Sequence, residues 1–395
     1  MTTVTPTLLR EWRHEFHRQP ETAFEEHRTS AHIVAILEDA GIEMVTGLGG
    51  GTGVVAWVDG RHGGERAIGL RADIDALDVR EANDVDHAST TPGKMHACGH
   101  DGHTTMLLGA ACALAEAPDF AGRAYFIFQP AEENEGGGRV MVEEGLFTRF
   151  PMEAVYGVHN WPGMAVGEAA VHDTAVMAAF DIFRVKLTGH GCHAAMPHLG
   201  KDVVLAACQL VNQLQGIVSR ETPAHQTAVM SVTQFHAGDA YNVMPETVEL
   251  CGTVRCFDPE LRDHLETRFR QAIAAMATFH GLEADIDYQS RYPATFNTPA
   301  HAARCAEVLE TLPDIRRVHR DLPPSMASED FAFMLQQRPG AYIWLGNGED
   351  SPSLHNPHYD FNDALAPIGV AYWVALARTL LGGGSTRTST NLELA

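Results

Sequence analysis

The sequence predicts an α/β protein of two domains: a larger domain with a largely parallel sheet between layers of helices, and an inserted, smaller α+β domain of ferredoxin-like order. Three observations carry this. Apolar runs of strand length alternate with helix-period segments toward both ends of the chain. Residues 180–288 change to the order strand, helix, strand, strand, helix, strand. The chain has 395 residues and is 45% hydrophobic, more than one typical core serves. The expected boundaries are 1–179, 180–293 and 294–395, with the first and last segments forming one domain.

Pro6, Leu8, Leu9, Trp12 and Phe16 predict a first helix capped by Thr5 and ended near Pro20. A second helix runs from Thr29 to Ala40 and stops at Gly41. Gly47 and Gly49 to Gly51 form a loop before the strand Val54 to Val58; since they precede a strand, they do not form a dinucleotide fingerprint. The strand Ala67 to Leu70 runs into Asp73 and Asp75, and a helix follows from Thr104 to Glu116. Ala124 to Phe128 is a strand that empties into Glu132 and Glu133 before glycines 136 to 138. Ala154 to Val158 ends at His159, and Ala341 to Leu345 is followed by a loop carrying His355. The inserted domain reads as strand 180–187, helix 202–218, strands 227–235 and 247–256, helix 259–280 and strand 284–288. A helix from Pro299 to Leu312 resumes the first pattern, and the Gly/Ser/Thr tail after Leu381 is expected to fray.

Charge excludes several roles. With 28 Lys and Arg against 51 Asp and Glu, a net −23 gives no electrostatic support for nucleic-acid or membrane-surface binding. No run of 18 apolar residues occurs, and the N-terminus lacks a basic segment followed by an apolar one. The seven scattered cysteines do not form a disulfide framework, and the expectation is a cytoplasmic protein.

The chemistry concentrates at Met95 to Met106, where His96, Cys98, His100, Asp101 and His103 fall within eight positions. Thiolate and imidazole suit zinc and other borderline-soft divalent ions, and Gly99 lets Cys98 and His100 converge. An isolated Cys-x-His is as well read as a solvated turn. In an open α/β sheet, however, functional groups collect beyond the carboxyl ends of the strands. Here four strands end in Asp, Glu-Glu, His and His, so the same edge supplies the further ligands that a metal needs.

Six segments together resemble the M20 metallopeptidase family, in its amidohydrolase branch of hippurate hydrolases, N-acyl-amino-acid amidohydrolases and auxin-conjugate hydrolases. They are His96 to His103, Gln129 to Glu133, Val158 to Asn160, Gly191 to His198, Ser328 to Phe331 and His355 to Phe361. The resemblance runs in register from about residue 8 to 380. It implies a zinc-peptidase-like catalytic domain, a lid that also serves as a dimer interface, and two divalent ions per subunit, whether Zn, Mn, Co or Ni. Position by position it implies Cys98, His100, Glu133, His159 and His355 as ligands and Glu132 as general base. Asp75 becomes a residue orienting a ligand, with Asp73 beside it in the family's early metal-binding segment. His193 stabilises the tetrahedral intermediate, and Asn242 and Arg255, thirteen apart across a hairpin, grip the substrate carboxylate. His190, Cys192 and Asp78 depart from the family pattern without removing a ligand.

The reading is therefore hydrolysis of the amide bond of an N-acyl amino acid, by a homodimer or homotetramer joined through the lid. Within enzymes the alternative is a dipeptidase or an N-acetyl-diaminopimelate deacetylase. Outside them it is a metal-storage or structural metal protein, which would have no use for a carboxylate such as Glu132 that is not a ligand.

Overall fold

The computed structural model describes residues 3–133 and 135–382, so the expectation for the C-terminal tail falls outside the described residues. Contacts divide the chain into one unit of Met1–Thr174, Phe296–Pro323 and Asp330–Ala395 and a second of Ala175–Thr295 and Pro324–Glu329.

The first unit is built on an eight-stranded sheet. Its central four strands, in the order Arg123–Gln129, Ala67–Asp73, Ala154–Pro162 and Gly340–Gly348, run parallel. Their carboxyl ends therefore share one edge, with Asp73 opposite Gln129 and His159 opposite Trp344. Every residue of Ala67–Asp73 is buried, as expected where helices cover both faces of a parallel sheet. The hairpin Glu43–Leu48 and Gly53–Asp59 extends the sheet antiparallel, with a Gly49–Gly51 turn between. The short strands Glu168–Ala170 and Arg317–His319 complete the other side.

Helix Pro6–Arg18 starts as the sequence implies, with Pro6 in its first turn and the Thr5 hydroxyl accepting from the Leu8 N–H at 3.2 Å. Helix His27–Asp39 begins two residues earlier than expected. Sequence reading missed the strand Glu43–Leu48 and the helix Leu365–Leu380 altogether. That last helix is buried along much of its length, so it lacks the polar face that marks a surface helix. At Gly369 an added Cβ would lie 1.9 Å from the Met106 sulfur, which fixes the close approach of this helix to His100–Glu116.

Three boundaries differ in a way that matters for chemistry. The helix expected from Thr104 begins at His100, which puts His100 and His103 in its first turn. Asp73 is the last residue of a regular strand and His159 lies within one, so neither lies in the loop that follows. Regular backbone therefore sets the position of these four groups.

The second unit has a four-stranded antiparallel sheet in the order Ala228–Ala237, Thr247–Cys256, Ala179–Thr188 and Glu283–Tyr292. With helices Val203–Glu221 and Pro259–His280 between them in sequence, this is the ferredoxin-like order. Thr247–Cys256 alternates buried and accessible residues, the mark of a sheet with one covered face. The second helix is closed by Asp258, which accepts from the Leu261 N–H, and by Gly281 with φ 66°.

Candidate metal centre

The carboxyl edge of the parallel strands carries a buried hydrogen-bonded frame. Asp73 accepts from His103 Nδ1 at 2.6 Å and from Arg71 at 2.7 Å. His103 Nε2 accepts the Asn160 N–H at 2.9 Å, which fixes the tautomer in which Nδ1 is the donor. The Asn160 amide in turn donates to the Cys98 carbonyl at 2.7 Å, and its oxygen accepts from the Tyr359 hydroxyl at 2.7 Å. Gly99, with φ 87°, sits inside this frame: a Cβ there would lie 2.4 Å from both Asn160 Nδ2 and Tyr359 OH. The sequence pointed to His103 and Asp73 without giving either this role, and Asn160 and Tyr359 were only parts of motifs.

Within the frame, Cys98 Sγ lies 3.5 Å from His159 Nε2. His159 Nδ1 donates to the Asn160 carbonyl at 2.6 Å, so Nε2 keeps its lone pair toward the sulfur. His100 Nδ1 donates to the Asp75 carbonyl at 2.9 Å and side chain at 3.1 Å, which turns Nε2 inward. Asp75 also accepts the Glu133 N–H at 2.9 Å, so one carboxylate orients His100 and the backbone of Glu133 together. His355 Nε2 stands 3.2 Å from Glu133 Oε1.

Two ligand groups emerge, Cys98 with His100 and His159, and Cys98 with Glu133 and His355, their donor atoms lying within 4.8 Å of one another. They share Cys98. Asp73 forms a third such group with His100 and His103, but its oxygens are already engaged by Arg71 and His103. His96, the first histidine of the motif, joins none of these groups among the described residues. Burial lowers its pKa to about 3.

Whether a cation fits can be asked of the donors themselves. His100 Nε2 and Glu133 Oε1 are buried, yet neither makes a hydrogen bond of acceptable geometry, although the latter faces His355. Such atoms are costly unless something occupies the space between them. Burial, followed by the charges of Glu133 and Glu132, pushes the Cys98 thiol well above its ordinary value, so a thiolate here needs an adjacent cation. Burial would lower His100, but Asp73, Asp75 and Glu133 outweigh it and raise its pKa to about 10. An excess proton thus supplies the positive charge that the carboxylates demand, and a divalent ion can replace it. Burial and the neighbouring His103 hold His159 well below its usual value, so its imidazole is neutral, as a ligand requires. The donor set of thiolate, imidazole and carboxylate fits borderline-soft divalent ions.

Glu132 is buried, 7% exposed, and its carboxylate accepts the Asp330 N–H at 3.4 Å. It sits in one of the three ligand-type groups that contain His100, beside Glu133. Ala131 and His355 are two of three non-glycine residues with positive φ among those described, at 54° and 64°. Both flank or belong to the centre, where such backbone strain concentrates.

In the second unit, His193 pairs across a short ladder with Val243, and the Ala194 N–H donates to the Asn242 carbonyl at 3.0 Å. His193 and Asn242 are thereby neighbours. Arg255 lies opposite Val229 and Phe180, while Asn242 lies in the connection between the strands. The guanidinium stacks 4.0 Å from the Phe180 ring centre and donates to Ser328 Oγ at 3.1 Å. Among the described residues no carboxylate forms an ion pair with it.

A parallel sheet whose carboxyl edge assembles thiol, imidazole and carboxylate donors beside a further buried glutamate has the make-up of a metal-dependent hydrolase, and its relatives make it an amide hydrolase. The chain belongs to peptidase family M20/M25/M40, whose model matches residues 69–379. It is 36% identical over 365 residues to the hippurate hydrolase of Campylobacter jejuni, covering 92% of this chain and 94% of that one. It is 38% identical over 364 residues to an N-acetyl-L-cysteine deacetylase of Bacillus subtilis, covering 92% and 85%. Among solved structures it resembles the Bacillus subtilis YXEP protein, a dinuclear metal-binding peptidase of the M20 family. The TM-score is 0.83 at 31% identity, over 96% of this chain and 99% of that one.

Proposed function

We propose that the protein hydrolyses N-acyl amino acids to a carboxylate and a free amino acid, with two divalent ions held by Cys98, His100, Glu133, His159 and His355. The observation that carries this is the convergence of those five side chains around donor atoms that lack hydrogen-bond partners, with Glu132 buried beside them. Ions held there would supply a Lewis acid for the amide carbonyl and would acidify a water. Glu132 takes the proton from that water and passes it to the leaving amine. Asp75 keeps Nε2 of His100 turned inward, where a ligand atom is needed, by holding Nδ1. His193 steadies the charge that develops on the carbonyl oxygen, and Asn242 and Arg255 grip the substrate carboxylate, for which a half-buried guanidinium without a carboxylate partner among the described residues is suited. Among Zn, Mn, Co and Ni, the thiolate favours the softer ions.

The subunits pair through the ferredoxin-like unit, as a dimer or tetramer, and the protein works in the cytoplasm. All seven cysteines are free thiols, which fits a reducing compartment. Among the described residues no helix is long and apolar enough to cross a membrane.

The test is a screen of metal-reconstituted protein against acetyl, benzoyl, phenylacetyl and indoleacetyl amino acids, with unmodified dipeptides alongside. Cleavage of the acyl amino acids is expected. Strong cleavage of dipeptides alone would replace this substrate class by a peptidase one.

A further inference from the structure

Glu132 has a backbone N–H on either side of it, and a buried carboxylate holds each. The Glu133 N–H donates to Asp75, as described. The Ala131 N–H donates at 2.9 Å to Oε1 of Glu26, a residue just ahead of helix His27–Asp39 and more than a hundred positions away in sequence. Glu26 is fully buried. Its Oε1 also accepts the Phe24 N–H at 3.1 Å, and its Oε2 accepts the Thr52 hydroxyl at 2.7 Å.

These contacts tie the segment of Phe24 and Glu26 to Thr52 and Ala131, which lie just outside the paired strands Gly53–Asp59 and Arg123–Gln129. Phe24 and Ala131 both have positive φ, at 61° and 54°, so both amides held by Oε1 belong to strained residues. The Gly49–Gly51 turn supplies the floor: a Cβ on Gly50 would lie 2.7 Å from the Phe24 ring, and one on Gly49 would lie 2.9 Å from the ring of Pro130. Glu144 holds that turn, accepting the N–H groups of Gly49 at 2.6 Å and Gly50 at 3.1 Å. The glycine run thus has a use: it lets the rings of Phe24 and Pro130 approach the turn closely.

We infer that Glu26 is a positioning residue, which with Asp75 pins the backbone on both sides of Glu132 and so fixes where its carboxylate stands. The inference rests on the roles proposed above for Glu132 and Glu133. Ala131 is joined to Glu132 through one rigid planar peptide, with adjacent Cα atoms ~3.8 Å apart, so a shift of its backbone bears directly on Glu132. Misplacement by about 1 Å at a reacting group can cost ~100-fold. The geometry needs an acceptor for two amides and a partner for one hydroxyl, and not a charge. Burial, with the charge of Asp75 second, raises the Glu26 carboxyl to about 7, consistent with that. A glutamine at this position can accept both amides through Oε1 and donate to Thr52 through Nε2.

The test compares Glu26→Gln, Glu26→Asp and Glu26→Ala, each assayed well below its own melting temperature. Glu26→Gln is expected to keep kcat within about threefold. Glu26→Asp keeps the charge but draws Oε1 back by a methylene, and is expected to lose roughly 10-fold to 100-fold in kcat with KM nearly unchanged. Glu26→Ala should be at least as impaired as Glu26→Asp. Hydrogen–deuterium exchange at Ala131 in the metal-free protein reads the same contact without substrate: its amide stays protected in Glu26→Gln and opens in the other two. If Glu26→Ala does not fold, the order of Gln and Asp decides the matter. An aspartate variant as active as the glutamine one, or better, overturns the inference, as does unchanged protection at Ala131 in Glu26→Asp. Exchange that behaves as expected in a protein cleaving no acyl amino acid would instead overturn the proposed function and leave the contact established.

Discussion

Glu132 and Glu133 are chain neighbours in opposite circumstances. Glu133 Oε1 is a buried oxygen that faces His100 and His355, and although burial raises its carboxyl, those imidazoles bring it below its ordinary value. Glu132 is held from the backbone on both sides and reaches toward the same space. Neutralising each should therefore have different effects. Glu132→Gln should lower kcat by roughly 10²-fold to 10⁴-fold with metal content and KM near wild type, since only the proton acceptor is lost. Glu133→Gln should lose metal. Metal stoichiometry and kcat on both variants decide the assignment, and loss from the first with retention in the second would reverse the roles. Some of this was legible in the residues, because ligand types placed after strands are a local pattern. The supports were not: Asp75 to Glu133, His103 to Asp73 and Glu26 to Ala131 are single hydrogen bonds between distant positions, which leave no periodicity to read.

At the scale of elements, helix Pro6–Arg18 is fastened to helix His100–Glu116 by a buried ion pair. His17 Nδ1 lies 2.8 Å from Asp101 and Nε2 lies 3.2 Å from Glu81. Burial lowers the His17 pKa, but Asp101 and Glu81 more than compensate and raise it from 6.5 to about 9. A group raised on folding stabilises fully below its unfolded pKa and loses that contribution as pH rises through its folded one. The His17 contribution should be whole below about pH 6.5 and gone above about pH 9, on the order of 3 kcal/mol. Asp101, lowered on folding, acts in the opposite direction, its contribution fading only as pH falls below the usual carboxylate range. Denaturant titrations of wild type and His17→Gln should therefore differ most near pH 6 and converge toward pH 9. A difference independent of pH would show that the pair is not ionised as described. The sequence showed helix Pro6–Arg18 plainly through its cap and apolar spacing. It hid helix Leu365–Leu380, because a helix buried on most sides has no amphipathic stripe, and it placed the start of the His100 helix a turn late, because Gly99 in a left-handed conformation initiates it without a capping side chain.

At the scale of the whole molecule, the two units carry different parts of the proposed chemistry, the metal ligands and Glu132 in one and His193, Asn242 and Arg255 in the other. Arg255→Ala should lower kcat/KM for substrates with a free α-carboxylate by roughly 10-fold to 100-fold, a charge-assisted pair being worth about 1.5 to 3 kcal/mol, and should barely affect amide-capped analogues. Equal losses on both would remove Arg255 from carboxylate binding. The ferredoxin-like order of the second unit was legible because its two central strands alternate and both helices start at a capping aspartate, Asp202 and Asp258. That Arg255 stacks on Phe180 and not beside Asn242 was not, since pairing partners depend on sheet order. The central claim is that Cys98 belongs to both groups of donors that would hold metal on the edge of the first unit's sheet, and bound metal per chain tests it most directly. Elemental analysis after reconstitution should find about two ions in wild type, about one in His355→Ala, whose loss affects one ligand group, and close to none in Cys98→Ala, whose loss affects both. A Cys98→Ala protein that retains full occupancy would contradict the shared site.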